Sequence, residues 1–223
     1  MASDIIVSYD GTSNDDDALA LGQLLASAGA SLSLAYVRHA REYDSSREEL
    51  AQHDAEKLLE RGASTLGDPS LARHVVINPS TGEGLAALAE SEGASTIVFG
   101  SDYRTAPGHA EPGTSAQHLL EGGPVAIAVA PAGLRSRADA AIRSIALSIP
   151  DSDTAAEQTA NALAEKIGAR ITDPEAGSAD LIVVGSQPAA PEGRVQLAGA
   201  TRAMLDTARC SVLVVPRGKP VLF

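Results

Sequence analysis

The sequence has no tryptophan, two phenylalanines and four tyrosines in 223 residues. A chain so poor in aromatic planes offers no platform on which single-stranded bases would stack. Its one cysteine, Cys210, excludes an internal disulfide framework and any zinc site built on several cysteines. Basic residues are scarce: 17 Lys and Arg stand against 29 Asp and Glu, a net charge of −12. That balance disfavours broad contact with a phosphate backbone, so nucleic acid is not an expected partner. No apolar run approaches the ~20 residues that span a membrane, and the opening MASDIIVSYD has neither a basic segment nor an apolar signal core. These readings predict a soluble, cytoplasmic protein with no membrane contact. The histidines, His39, His53, His74, His109 and His118, form no metal-ligand pair at helical or strand spacing. No G-x-S-x-G elbow is present. Neither catalytic residues nor a metal site are expected, and Cys210, just before an apolar run, reads as a small buried residue.

What is present is centred on Thr96 to Pro131. Two apolar runs, Thr96–Phe99 and Val125–Ala130, flank a Gly-Ser turn, a Gly/Pro-rich loop and a short helical segment opening at Gly113-Thr114-Ser115. Strand, loop, helix, strand is the order of a parallel βαβ unit. A glycine just past a strand lets backbone N–H groups approach an anion, and a second glycine with hydroxyls at a helix start adds the positive end of the helix dipole.

Upstream, Ile5–Tyr9 reads as a buried strand and Asp15–Ala28 as a helix stopped by Gly29. Leu32–Val37 is a second strand and Arg38–Ser46 a loop. Ser46–Gly62 is an amphipathic helix ending at Gly62, His74–Ile77 a third strand, and Thr81–Glu92 a third helix ending at Gly93. Strands alternating with helices, without hairpin signals, predict an α/β parallel sheet. Pro131–Ala140 begins with Pro and Gly and turns charged, the best linker candidate.

The pattern then restarts. Ser144–Ile149 reads as a strand, Pro150–Asp153 as a turn and cap, Thr154–Ile167 as a helix and Ala169–Thr172 as a short strand. ADLIVVG at 179–185 resembles ASTIVFG at 94–100; Gly199–Arg209 is helical; CSVLVVP at 210–216 resembles the earlier close at Pro131. This is a repeat of a whole domain, trimmed of roughly a helix, a strand and a helix. The expected organisation is a complete domain over 1–133, a linker over 134–142 and a shortened domain over 143–223.

Asp10, at the end of the first strand, is either a ligand for ribose or adenine groups at the carboxyl edge of a sheet or a turn and cap aspartate. Gly100, Tyr103 and Gly113-Thr114-Ser115 are either a phosphate cradle or a turn with an N-cap. Asn14-Asp15-Asp16-Asp17 suits the first turn of a helix, where acids complement the dipole, and disfavours a nearby triphosphate unless a divalent ion screens it.

These residues resemble the universal stress protein family. The first strand running into Asp10-Gly11-Thr12 looks like its first-strand signature. Gly100, then Tyr103, then nine residues, then Gly113-Thr114 follow the spacing G-x2-G-x9-G-(S/T) of its nucleotide-binding members. GGPVAIAVAP and RCSVLVVP look like its ending. The resemblance implies two open parallel-sheet domains of the adenine nucleotide alpha hydrolase-like kind in tandem, the second truncated. By carry-over, Asp10 and Val37 meet the adenosine, Gly100, Gly113, Thr114 and Ser115 the phosphates of ATP or AMP, and Gly11 and Thr12 belong to the same nucleotide site, with Mg2+ only alongside the nucleotide. Tyr103 departs from the middle glycine of the pattern. In the second copy Ala198 stands where the spacing wants glycine, so no nucleotide is expected there. The implied role is a stress-response signalling or protective module. Its rivals are an interaction module with a lapsed site and an unidentified protein partner, and a weak ATPase. An adenylating relative is disfavoured because SYDGTSND lacks the paired glycines of an SGGxDS loop. Family dimers pair through their last strands, which predicts an intramolecular pseudo-dimer through Val125–Ala130 and Val212–Val215, or a homodimer.

Overall fold

A computed structural model describes residues 4–39, 45–148, 154–173 and 179–223. Its strands are β1 (Ile5–Ser8), β2 (Leu32–Arg38), β3 (Ala72–Ile77), β4 (Thr96–Phe99), β5 (Ala126–Val129), β6 (Ser144–Ser148), β7 (Arg170–Thr172), β8 (Leu181–Gly185) and β9 (Ser211–Val215). The helices are α1 (Ser13–Ala26), α2 (Ser45–Thr65), α3 (Thr81–Glu92), α4 (Thr114–Leu119), α5 (Ala155–Ile167) and α6 (Gly199–Leu205). The expected turn at 150–153 and the end of the strand at Ile149 lie outside the described residues.

All the strands join one nine-stranded sheet in the order β3-β2-β1-β4-β5-β9-β8-β6-β7. Every pairing is parallel except the central one, where β5 and β9 run antiparallel with Ile127 opposite Val214, Ala128 opposite Leu213 and Val129 opposite Val212. The period of two along each strand sends side chains to opposite faces. Ile5 and Val7 join one core cluster, Ile6 the other; Leu213 and Val215 join the first, Val212 and Val214 the second. The first face is covered by α1, α2 and α5 through Leu19, Leu21, Leu25, Leu59 and Leu163; the second by α3, α4 and α6 through Leu85, Ala89, Leu119 and Leu205. Each such leucine, removed from water, contributes about 2 kcal/mol.

Three local readings change. Gly62 does not end α2, which continues to Thr65. A Cβ on Gly62 would lie 3.0 Å from Leu34 Cδ1 and Tyr9 Cε1, so the glycine lets the helix approach the sheet; the left-handed break falls at Gly67, φ +71°. The helix expected over Gly199–Arg209 stops at Leu205. The linker is not loose: Leu134–Ser136 forms a 3-10 turn and Leu134 is buried. Its clamp is Asp17, fully buried, whose carboxylate accepts hydrogen bonds from the backbone N–H of Gly133 and Arg135, both 2.8 Å, and from the Arg135 guanidinium at 2.9 Å. Asp17 is thus a fixed anchor between α1 and the linker rather than a general complement to the helix dipole.

The two halves of the sheet repeat a device, after β4 and after β8. Ser101 donates its hydroxyl to the Ala130 carbonyl at 2.6 Å and accepts from the Glu111 N–H at 3.1 Å. Ser186 donates to the Val215 carbonyl at 2.8 Å and accepts from the Gln196 N–H at 3.2 Å. The sequence separations, 29 and 10 residues, are the same in both. Each loop so pinned also bonds across the centre: Ala110 N–H to the Ala208 carbonyl at 3.0 Å, Val195 N–H to that of Gly123 at 2.9 Å.

Candidate functional site

The order of the first five strands reverses direction between β1 and β4: the chain leaves β1 towards β2 and β3, and leaves β4 towards β5. The carboxyl ends of β1 and β4 therefore flank a switch point, where open α/β sheets bind ligands. The segments that follow them are Tyr9–Thr12 and Gly100–Gly113.

After β1, Gly11 turns the chain at φ +84° and Thr12 caps α1. The Asp15 carboxylate closes the cap, accepting from the Asp10 N–H at 3.1 Å, the Thr12 N–H at 3.0 Å and the Thr12 hydroxyl at 2.9 Å. Burial, then a hydrogen bond to the Asp10 carboxyl and its charge, push the Asp15 carboxyl up to about 7. Asp10 itself is exposed, one oxygen accepting from Thr12 N–H at 3.3 Å. Tyr9 is buried and donates to Asp16 at 3.3 Å; burial first, and Asp16 second, push the phenol up to about 12.

After β4, Gly100 meets the start of α1. A Cβ there would stand 2.1 Å from the Asn14 carbonyl oxygen. The Asn14 side-chain amide donates to the carbonyls of Ser101 and Asp102 at 3.0 and 2.8 Å, locking the two segments together. Asp10, Gly11, Thr12 and Gly100 are thus brought to one place. The loop then returns to Gly113, the residue before α4, whose nearest neighbour to a built Cβ is Asp102 at 4.0 Å. Gly113 makes no side-chain cap, Thr114 is exposed and Ser115 half-buried. Tyr103 points away from the loop: it is 71% exposed, its hydroxyl accepts from Arg104 Nε at 2.6 Å, and the guanidinium sits 4.8 Å from its ring centroid.

Val37 is reached differently. It is 6% exposed and packs on α3, where a Cβ at Gly84 would lie 3.0 Å from its Cγ1. Two residues earlier on α3, Gly82 faces the Ser115 carbonyl and the His118 ring. Val37 and the start of α4 are thereby linked through two helix glycines, not by direct contact.

Four residues that shape this edge were not singled out from the sequence. Asn14 and Asp15 lay in a run of acids and amides that suits any helix start. Asp102 is unremarkable until the loop folds it beside Gly113. For Ser101 a signal did exist: Gly-Ser follows the strand in both halves, at Gly100-Ser101 and Gly185-Ser186. Among the described residues no three His, Cys, Asp or Glu side chains are placed to hold a metal, and no helix is long and apolar enough to cross a membrane.

Comparison with known proteins gives the following. The model of the universal stress protein family matches residues 1–131. Among solved structures, a universal stress protein from Archaeoglobus fulgidus aligns with a TM-score of 0.69 at 14% identity, over 98% of this chain and 100% of that one. A functionally unknown protein from Pseudomonas aeruginosa aligns with a TM-score of 0.58 at 15% identity, over 97% of this chain and 93% of that one. At such identities the likeness is one of fold. Among curated proteins none matches.

Proposed function

The chain belongs to the universal stress protein family, and we propose that its first half, a complete domain over residues 1–133, binds an adenine nucleotide across the carboxyl ends of β1 and β4. A shortened second domain over 143–223, joined by the linker 134–142, serves as its fixed partner. The observation that carries this reading is the pair of glycines about the switch point. Gly100 allows the first turn of α1 to close over the end of β4, and Gly113 leaves the start of α4 without a side chain. Backbone N–H groups there are suited to phosphate. Thr114 and Ser115 add hydroxyls, while Asp10 and Thr12 stand at the end of β1 for the ribose. Tyr103, in place of a glycine, turns outward and leaves the course of the loop open.

The acids Asp10, Asp15 and Asp102 favour AMP, or ATP carried with Mg2+, over a free triphosphate. In the cell such a protein acts as a nucleotide-responsive module of the stress response. The Asp102 carboxylate beside Gly113 favours a second reading, an interaction module whose site has lapsed.

The deciding experiment denatures freshly purified protein, identifies released small molecules by mass spectrometry, and titrates ATP and AMP, with magnesium, by calorimetry. About one adenine nucleotide per chain, lost in Gly113→Val, supports the proposal. A Cβ at Gly113 meets only Asp102, at 4.0 Å, and φ there is −71°, so the backbone accepts a side chain. No nucleotide and no heat overturn the proposal in favour of the lapsed site.

A further inference from the structure

The second half of the sheet contains a cavity that the first half fills. In the first half α3 packs against β2, β3 and β4, and Leu85 and Ala89 are buried in one cluster with Ile6, Ile97 and Leu119. No described residues between β7 and β8 form a corresponding helix. The registers set Ala146 beside Ile182 just as they set Ile6 beside Ile97. With no helix there among the described residues and a smaller side chain at Ala146, a cavity of about 510 Å³ is walled by Ala146, Ile182, Met204 and Cys210. Its size is that of a small-molecule site, roughly 300–1,000 Å³.

The charged groups of the wall are two arginines and one aspartate, and Thr207 adds a hydroxyl that donates to the Met204 carbonyl at 3.0 Å. Arg137 comes from the linker and Arg209 from the turn before β9, and both line the cavity. Both are exposed, and neither has a carboxylate partner among the described residues. Asp180 is held by the start of β6, one of its oxygens accepting from the N–H groups of Arg143 and Ser144, both at 3.0 Å, and from the Ser144 hydroxyl at 2.9 Å, while its charge still acts on Cys210 in the wall. In a chain with a net charge of −12, two unpaired guanidinium groups at the mouth of a recess with both polar and apolar walls are complementary to an anion with an apolar tail.

We propose that this cavity binds an amphipathic carboxylate of medium chain length, its alkyl chain against Ala146, Ile182 and Met204 and its headgroup between Arg137 and Arg209. The site is separate from the nucleotide reading and does not depend on it. Its wall is tied to the first half, since the Ala208 carbonyl beside it accepts the Ala110 N–H at 3.0 Å.

The test uses the full chain labelled with [13C]methyl-methionine. Only Met1 and Met204 carry the label, so the Met204 methyl signal reports the cavity directly. Decanoate is expected to shift that signal saturably. Acetate and 1-decanol, which share only its head or only its chain, should each bind roughly tenfold more weakly, as should decanoate to Arg137→Gln or Arg209→Gln. Ala146→Ile, which restores the residue of the first half, should abolish the shift while the protein still melts cooperatively. No saturable shift in the folded wild type overturns the proposal. So does binding that is equal for decanoate and decanol, which would make the recess merely apolar. The wild-type ligand series decides the matter even if a variant fails to fold.

Discussion

Gly100 and Asn14 stand so close that the hydrogen of Gly100 occupies the only space available: a methyl group there would lie 2.1 Å from the Asn14 carbonyl oxygen. Because the obstruction is backbone, it cannot rotate aside. Gly100→Ala is therefore expected to destabilise the fold by about 2–3 kcal/mol through overpacking. Urea unfolding measures this, and an unchanged midpoint would mean that α1 does not close over β4.

Asp17 holds the linker through two backbone N–H groups and the Arg135 guanidinium. Asp17→Ala removes every acceptor and leaves those donors unpaired, at a cost of about 3 kcal/mol. Asp17→Asn keeps one acceptor oxygen and should lose less. The same unfolding series compares the two.

Asp15 gives a pH dependence with a definite sign. Its carboxyl is raised to about 7 in the folded chain, above its ordinary value of 3.8. The folded state therefore binds the proton more tightly than the unfolded one. This contribution is fully present below pH 4 and is lost as pH rises through 7. Asp15→Asn should flatten that decline, and thermal melts of the two proteins between pH 5 and 8 check it.

Tyr103→Gly restores the middle glycine of the nucleotide-binding spacing. The side chain is exposed, so stability should hardly change, within about 0.5 kcal/mol. AMP affinity should rise by roughly tenfold, about 1.4 kcal/mol, as the loop gains freedom to follow the phosphate. Calorimetry reads the change, and equal affinities would show that Tyr103 is indifferent to the site.

Ser101→Ala and Ser186→Ala should cost alike, about 2 kcal/mol each, since both serines bridge a strand-end carbonyl and a loop N–H. The double variant should lose close to the sum. Unequal costs would mean that the two loops are held differently.

Much of the architecture was legible from periodicity. Thr81–Glu92 begins and ends as read, with Ser80 capping it and Gly93 in the left-handed conformation. Gly62 misled because a helical glycine has two uses. It can stop a helix or admit a neighbour, and only Tyr9 and Leu34, distant in sequence, show which. Asp17 misled for the same reason, its partners lying more than a hundred residues away. At the candidate site, the glycines announce themselves by spacing. Their surroundings do not: Asn14 over Gly100 and Asp102 beside Gly113 depend on how two loops fold against each other.

The antiparallel seam between Ala128 and Leu213 has a consequence for assembly. Two separate chains joined along such an edge come apart on dilution. Here the edges belong to one polypeptide, tethered through a turn that Asp17 fixes, at an effective concentration on the order of millimolar. The seam therefore stays closed however scarce the protein is. Each molecule also always joins one half that has α3 to one in which no described helix takes its place, so neither half can exchange for a twin of itself.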